Sequence, residues 1–247
     1  MKRHLLILLA TTFSAAAALA QSQPAATPEK KSDEPKKPPA GDLGALFKMH
    51  WEARVRAFKE QNLAWRNVVL LGDSITEGFD VAKYFSGRRV LNRGIGADVI
   101  GNALPPNDPH GVLQRLDNSV FDCAATDVFI LIGINDLNSG RTVETMETGY
   151  RDLLDRLRKG APALRIHVQS VLPTRGAFDA RNEPVRQFNA RLRKLAEEFG
   201  CSFIDLHPLM CDAEGKLKAE FTNDGLHLTD AAYAVWREQI LSAMKWQ

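Results

Sequence analysis

The chain has 247 residues, 45% hydrophobic and 25% charged, with 32 Lys and Arg against 30 Asp and Glu for a formal charge of +2. These are the fractions of an ordinary folded protein with enough chain for one domain and a full core. They exclude a disordered chain and give no basic excess for nucleic acid, so no nucleic-acid partner is expected.

Lys2, Arg3 and His4 precede an apolar run from Leu5 to Leu19 that closes on Ala18-Leu19-Ala20. That is the pattern of a secretory signal over residues 1–20 with an A-x-A cleavage site. The run is shorter than the ~20 apolar residues of a spanning helix, so no stable membrane anchor is expected after cleavage. The destination is the periplasm or the extracellular space. Residues 21–42 hold five of the twelve prolines, four lysines and four acids, and no Val, Ile, Leu or aromatic residue. They read as a Pro/Lys-rich solvated linker, leaving 43–247 as the folded domain.

Within that domain, apolar β-type runs at Asn67–Leu71, Arg89–Leu91, Val128–Ile132, Arg165–Val171 and Ser202–Leu206 predict five strands. Helical patterns fall between and after them. Thr142 caps one that carries Val143, Met146, Tyr150, Leu153, Leu154 and Leu157 on one side and stops at Gly160. Two more run over Glu183–Phe199 and Thr229–Met244. Strands alternating with helices predict an α/β domain with a parallel sheet covered on both faces and ligands at the carboxyl ends of the strands.

Cys123, Cys201 and Cys211 make an odd count for an exported protein. Cys201 and Cys211 are spaced to bridge across a loop, and Cys123 reads as a small core residue. No Cys or His pair has ligand spacing, so no metal is expected.

Four short segments carry chemistry. Val68-Val69-Leu70-Leu71 runs into Gly72-Asp73-Ser74, which puts the Ser74 hydroxyl at a strand-to-helix turn, where a serine acts either as a helix cap or as a nucleophile. Of six histidines, only His227 follows an acid by three residues, in Asp224-Gly225-Leu226-His227. A carboxylate so placed holds an imidazole in the tautomer that accepts a serine proton. His207, the rival base, reads as packing at a strand end. Asn135 follows the third strand and is positioned to offer a side-chain amide to a developing oxyanion. Gly94, Gly96 and Ala97 offer backbone N–H groups beside it. Asp73, Gly94 and Arg175 are the candidate substrate contacts, with Phe79, Tyr84 and the loop 105–111 as further pocket lining.

The order of these segments, Gly72-Asp73-Ser74-Ile75, Asn92 to Asp98, Gly133-Ile134-Asn135-Asp136 and Asp224 to His227, resembles the SGNH or GDSL family of serine hydrolases, and the second segment looks most like its platelet-activating-factor acetylhydrolase branch. The resemblance spans Asn67 to Met244. It implies a flavodoxin-like three-layer α/β/α sandwich on a five-stranded parallel sheet, with no cofactor. It also implies Ser74 as nucleophile, Asp224 and His227 as acid and base, and an oxyanion hole from Ser74, Ala97 and Asn135, with Gly96 as the fallback donor. The family has Gly where Ala97 stands, so Ala97 must adopt the backbone angles that a glycine would. The activity implied is hydrolysis of small-molecule or saccharide esters, with short acyl groups such as acetyl foremost. Lipid acylhydrolase, lysophospholipase or thioesterase activity is the alternative, and a non-catalytic carbohydrate-binding module of the same fold the second.

Overall fold

The computed structural model describes residues 43–62, 67–101 and 110–246. The expected signal and linker over 1–42, and the loop 105–111 up to residue 109, lie outside the described residues.

Helix α1 (Leu43–Gln61) has no counterpart in the sequence reading. Its apolar residues make no single stripe, since Phe58 is buried while Leu46 and Phe47 are exposed, so periodicity does not reveal it. Polar contacts dock it instead. Arg93, fully buried, donates from Nη1 to Gln61 Oε1 and from Nη2 to Asn62 Oδ1, each at 2.7 Å, and its guanidinium lies 4.5 Å from the Phe58 ring centroid.

Strand β1 (Asn67–Gly72), buried at every residue, leads through α2 (Ser74–Glu77) and α3 (Val81–Tyr84) to β2 (Val90–Gly94). After two short helical turns come β3 (Ala125–Leu131), α4 (Ile134–Asn138), α5 (Val143–Gly160), β4 (Arg165–Gln169) and α6 (Asn182–Glu198). Then follow β5 (Ser202–Ile204), α7 (His207–Met210) and α8 (Asp230–Met244). All strand pairs are parallel, in the order β2-β1-β3-β4-β5. This is the flavodoxin-like α/β arrangement expected.

The predicted helices form nearly at their expected bounds. Thr142 caps α5 by accepting from the Thr145 N–H at 3.3 Å, and all six residues of its apolar face are buried. Strand ends shift for local reasons. β3 begins three residues early because the buried Asp127 is matched by β4, taking Arg165 Nε and Nη2 at 2.7 Å each and His167 Nε2 at 3.1 Å. Burial alone raises its carboxyl, but these partners hold it at about 2. β4 ends two residues early because the Asn189 side chain binds both the N–H and the C=O of Val171, at 2.8 and 2.9 Å. The three cysteines are free. Cys201 and Cys211 face different partners, Arg158 and His207, each at 3.4 Å, so the bridge between them is absent.

Register decides where the chemistry gathers. Gly72 is paired with Gly94 on one side and Leu131 on the other, so β1, β2 and β3 end level. Their successors Ser74, Ala97 and Asn135 emerge at one edge of the sheet. Gly94 also lets β2 pass against α2, because a Cβ there would lie 2.0 Å from the Glu77 nitrogen and 2.6 Å from its Cα. Both obstacles are backbone. Gly94→Ala is therefore expected to lower unfolding stability by about 1–3 kcal/mol, as overpacking does, measured from urea transitions at constant m-value.

Candidate active site

Ser74 opens α2 beneath two restraints. Asp73 caps the helix, its Oδ1 accepting from the Ile75 N–H at 3.0 Å, and Tyr233 of α8 donates its hydroxyl to the Ile75 carbonyl at 2.9 Å. These fix the turn, and the Ser74 hydroxyl lies 3.0 Å from His227 Nε2. The other ring nitrogen, Nδ1, is 2.6 Å from Asp224 Oδ2. Ser74, His227 and Asp224, named from the sequence, are thus in hydrogen-bond contact although 153 residues separate the first two.

The loop that carries Asp224 and His227 is bonded to itself. Asp224 Oδ1 accepts from the N–H groups of Leu226 at 2.9 Å and His227 at 2.8 Å, while Thr222 Oγ1 accepts from Gly225 N–H at 2.9 Å. Partial burial raises the Asp224 carboxyl, but the imidazole and the two amides outweigh it and hold the group well below the usual carboxylate range. The carboxylate is therefore ionised and its second oxygen is available to orient the imidazole. Gly225 has φ 89°, and a Cβ there would meet the Arg175 carbonyl at 2.2 Å, so only glycine fits.

Asn135 stands on the first turn of α4, with one amide hydrogen of Nδ2 directed to the Asp98 carbonyl at 2.9 Å. A carboxamide has two such hydrogens, and the one so bonded fixes the direction of the other. Ala97 is exposed and has φ 61°, a left-handed angle that glycine adopts freely and alanine rarely. A cleft of about 350 Å³ adjoins these two residues, lined also by Phe47, Val99, Asn138 and Ser139.

Other sequence assignments are corrected. The Gly96 N–H is bound by Glu77 Oε2 at 2.6 Å, so it is not a spare donor. Asp73 is fully buried and serves as a helix cap. Gly94 is buried, with its N–H on Asn92 Oδ1 at 2.9 Å and its carbonyl on Arg54. Arg175 directs its guanidinium to Asp212 and the Leu217 carbonyl, and its N–H holds the Gly225 carbonyl at 2.8 Å. It braces the histidine loop. Phe79 is buried in an aromatic cluster 4.8 Å from Trp236 and 5.0 Å from Tyr233 between ring centroids, and the Tyr84 hydroxyl donates to the Asp230 carbonyl at 3.0 Å. His207, the rival base, contacts Cys211. Among the described residues no group of His, Cys, Asp and Glu forms a metal cage.

Sequence reasoning missed Glu77, Arg54, His50 and the buried pair Arg115 and Asp98. Glu77 lies two residues past the first motif, but its contacts are with α1 and with the second motif, so its neighbours in the chain carry no sign of them. A hydroxyl, an imidazole and an ionised carboxylate in series can deprotonate the hydroxyl for attack on a carbonyl.

The GDSL-like Lipase/Acylhydrolase family matches residues 70–235, and the chain belongs to it. Platelet-activating factor acetylhydrolase IB subunit alpha1 of Rattus norvegicus is 27% identical over 172 residues, 67% of this chain and 69% of that protein. An N-acylneuraminate cytidylyltransferase of Escherichia coli is 29% identical over 119 residues, 48% of this chain but only 28% of that protein, so the chain spans less than a third of this relative's length. Among solved structures, a GDSL-like lipase from Bacteroides thetaiotaomicron superposes with TM-score 0.65 at 20% identity, covering 81% of this chain and 98% of that one. The acetylxylan esterase Axe2 from Geobacillus stearothermophilus does so with TM-score 0.59 at 19% identity, covering 74% and 96%. At these identities the structures speak for the fold.

Beneath Ser74 lies a titratable group that also reports on the turn. Burial pushes the Asp73 carboxyl up to about 7, against the Ile75 N–H and helped by Asp98 and Asp136, and its Oδ2 has no partner among the described residues. The fold thus favours the neutral acid. From the ordinary value near 3.8 up to about 7, the folded state holds a proton that the unfolded chain has lost, so stability falls as pH rises through that window. Asp73→Asn keeps the cap acceptor and removes the proton. Its stability relative to wild type is expected to rise from pH 4 to about pH 7 and level off above that in urea titrations, and a difference independent of pH would refute the assignment.

Proposed function

We propose that this member of the GDSL-like lipase/acylhydrolase family is an exported serine esterase that hydrolyses carboxylic esters of short acyl groups, acetyl foremost, through an acyl-enzyme on Ser74. The observation that carries the reading is the continuous contact from Ser74 Oγ to His227 Nε2 at 3.0 Å and from His227 Nδ1 to Asp224 at 2.6 Å.

His227 accepts the Ser74 proton as Oγ attacks the ester carbonyl, and Asp224 stabilises the imidazolium that results. The tetrahedral oxyanion is met by the free hydrogen of Asn135 Nδ2, the Ala97 N–H and the Ser74 N–H, which lies outside the helical ladder of α2. His227 then gives its proton to the alcohol as the carbon–oxygen bond breaks. A water molecule loses a proton to His227 and attacks the acyl-enzyme, and the proton returns to Ser74 as the carboxylic acid departs.

The names of two similar proteins share the acetyl group and differ in the alcohol: acetylxylan esterase and platelet-activating factor acetylhydrolase. That common element supports acetyl as the acyl group. An exported enzyme meets esterified saccharides outside the cytoplasm, which favours a sugar hydroxyl as the alcohol. Export itself rests on the Lys2-Arg3-His4 head, the Leu5–Leu19 run and Ala18-Leu19-Ala20.

Hydrolysis of p-nitrophenyl esters from acetate to palmitate by the full chain tests the reading. Acetate is expected to have the highest kcat/KM, with turnover abolished in Ser74→Ala and His227→Ala. Asn135→Ala is expected to lower kcat by about 10²–10³. A palmitate optimum points to a lipid acylhydrolase, and folded protein with no Ser74-dependent turnover points to a binding module.

A further inference from the structure

We infer that Ser202 is a second acyl-accepting serine, activated by His167 and Asp127 at the end of the sheet opposite Ser74. The inference goes beyond the esterase reading above, because it assigns a covalent site to residues that take no part in that reaction.

Asp127 lies in the first half of β3, His167 in the middle of β4 and Ser202 at the start of β5. The parallel register pairs Phe129 with His167 and His167 with Ser202, and residues paired across strands or two apart along one share a face of the sheet. Asp127, Phe129, His167 and Ser202 therefore stand on one face toward the amino ends of the strands, whereas Ser74, Ala97 and Asn135 follow the carboxyl ends. His167 Nε2 is 3.1 Å from Asp127 Oδ1, and its Nδ1 is 2.6 Å from Ser202 Oγ. A serine, an imidazole and a buried carboxylate thus stand in series for a second time.

The network fixes where the proton lies. Asp127 is held at about 2 by its partners, so it is ionised and can only accept, and the proton of a neutral imidazole sits on Nε2. Nδ1 is then the acceptor for the Ser202 hydroxyl. The ring is kept in its plane by Phe129, stacked on it with centroids 4.2 Å apart and planes at 10°. A clamp between strands needs no access to solvent, yet this one has it. Ser202 is exposed, and a cavity of about 390 Å³ is lined by His167, Ser202, Gly200, Leu164 and Arg165 among others. A Cβ added at Gly200 would meet nothing within 4 Å. A small ester therefore has room to reach the hydroxyl.

Nucleophile and base are in place, but the donors around them are already used. The Cys201 N–H is on the Ala196 carbonyl at 2.7 Å. Arg158 spends Nε, Nη1 and Nη2 on the carbonyls of Phe199, Leu164 and Gly200, and Arg165 spends Nε and Nη2 on Asp127. Lack of one oxyanion donor costs about 10²–10³ in rate, while a positioned base contributes about 10²–10⁴. These magnitudes suit acyl acceptance from an activated carboxylic ester, once per chain, and not turnover. In that step Oγ bonds to the ester carbonyl carbon, its proton passes to His167 Nδ1, and the alcohol oxygen leaves with the electrons of the broken carbon–oxygen bond. Asp127 stabilises the imidazolium until it gives its proton to the departing oxygen or to solvent.

The test uses the full chain carrying Ser74→Ala, which removes the expected nucleophile of the first site. It is incubated with p-nitrophenyl acetate, and acetylation is timed at each serine and lysine by peptide mass spectrometry. Ser202 is expected to be acetylated about 10²-fold or more faster than Ser86, which is also exposed. His167→Gln is expected to remove that advantage while lysine acetylation stays unchanged. Unfolding in urea is expected to do the same, so the comparison survives if His167→Gln does not fold. Acetyl groups on lysines alone, or equal rates at Ser202 and Ser86, would overturn the inference, as would a fast Ser202 rate that persists in folded His167→Gln. Ser74 is replaced throughout, so a negative result leaves the esterase reading to be decided by wild-type turnover.

Discussion

The geometry of the sheet edge depends on one buried guanidinium. Arg115 is fully buried, and it donates to the Gly72 carbonyl at 2.9 Å, the Arg93 carbonyl at 2.9 Å, Ser119 Oγ at 2.9 Å and Asp98 Oδ2 at 2.7 Å. The first acceptor ends β1 two residues before Ser74, the second lies in β2, and the fourth, Asp98, follows Ala97. A planar group with five donors in fixed directions can satisfy such a set where a lysine could not. Burying that charge is costly unless it is fully bonded, and here the cost enforces the spacing of the two loops. Burial pushes the Asp98 carboxyl upward while Arg115 pulls it down. The Asp98 backbone carbonyl meanwhile orients the Asn135 amide, so three motifs from three strands are referred to one cation.

This arrangement separates two kinds of residue at the site. Ser74, Ala97, Asn135, Asp224 and His227 face solvent or are half-buried. The residues that hold them, Asp73, Asp98, Arg115 and Asp136, are buried. Asp136 receives the Ile100 N–H and Arg141, and burial still pushes its carboxyl to about 6. A layer of partly neutralised acids beneath an exposed site gives the loops little freedom, because moving any one strands a polar group without a partner. Preorganisation of this kind is what an oxyanion hole requires, since donors already fixed need no rearrangement as charge develops.

What the sequence revealed follows from which signals are local. The five strands and the helices α5, α6 and α8 were legible because their apolar residues repeat within one element and face one core. Ser74, Asp224, His227 and Asn135 were legible as candidates because each lies next to a strand end or a glycine turn. The residues misassigned to substrate are also close to those motifs in sequence: Asp73 and Gly94 are motif neighbours, yet the chain turns them inward. Arg175 is near the site but spends its donors on Asp212 and Leu217. Helix α1 escaped because its anchors are polar and its partner, Arg93, is 31 residues beyond Asn62. A hydrogen bond across that separation leaves no periodic trace.

The loop after β2 also draws on a helix that lies outside residues 70–235, the span matched by the family. Ala97 holds a φ of 61°, an angle that glycine enters freely and alanine disfavours. Glu77 accepts the Gly96 N–H and Arg54 of α1 donates to the Gly94 carbonyl, while His50 of α1 lies against the Glu77 carboxylate. These bonds fix the chain on the β2 side of the turn and hold only while α1 stays docked, and α1 is docked through Arg93 and Phe58 onto β2. The edge strand therefore links the two, carrying at one end the loop that holds Ala97 and along its side the arginine that seats α1.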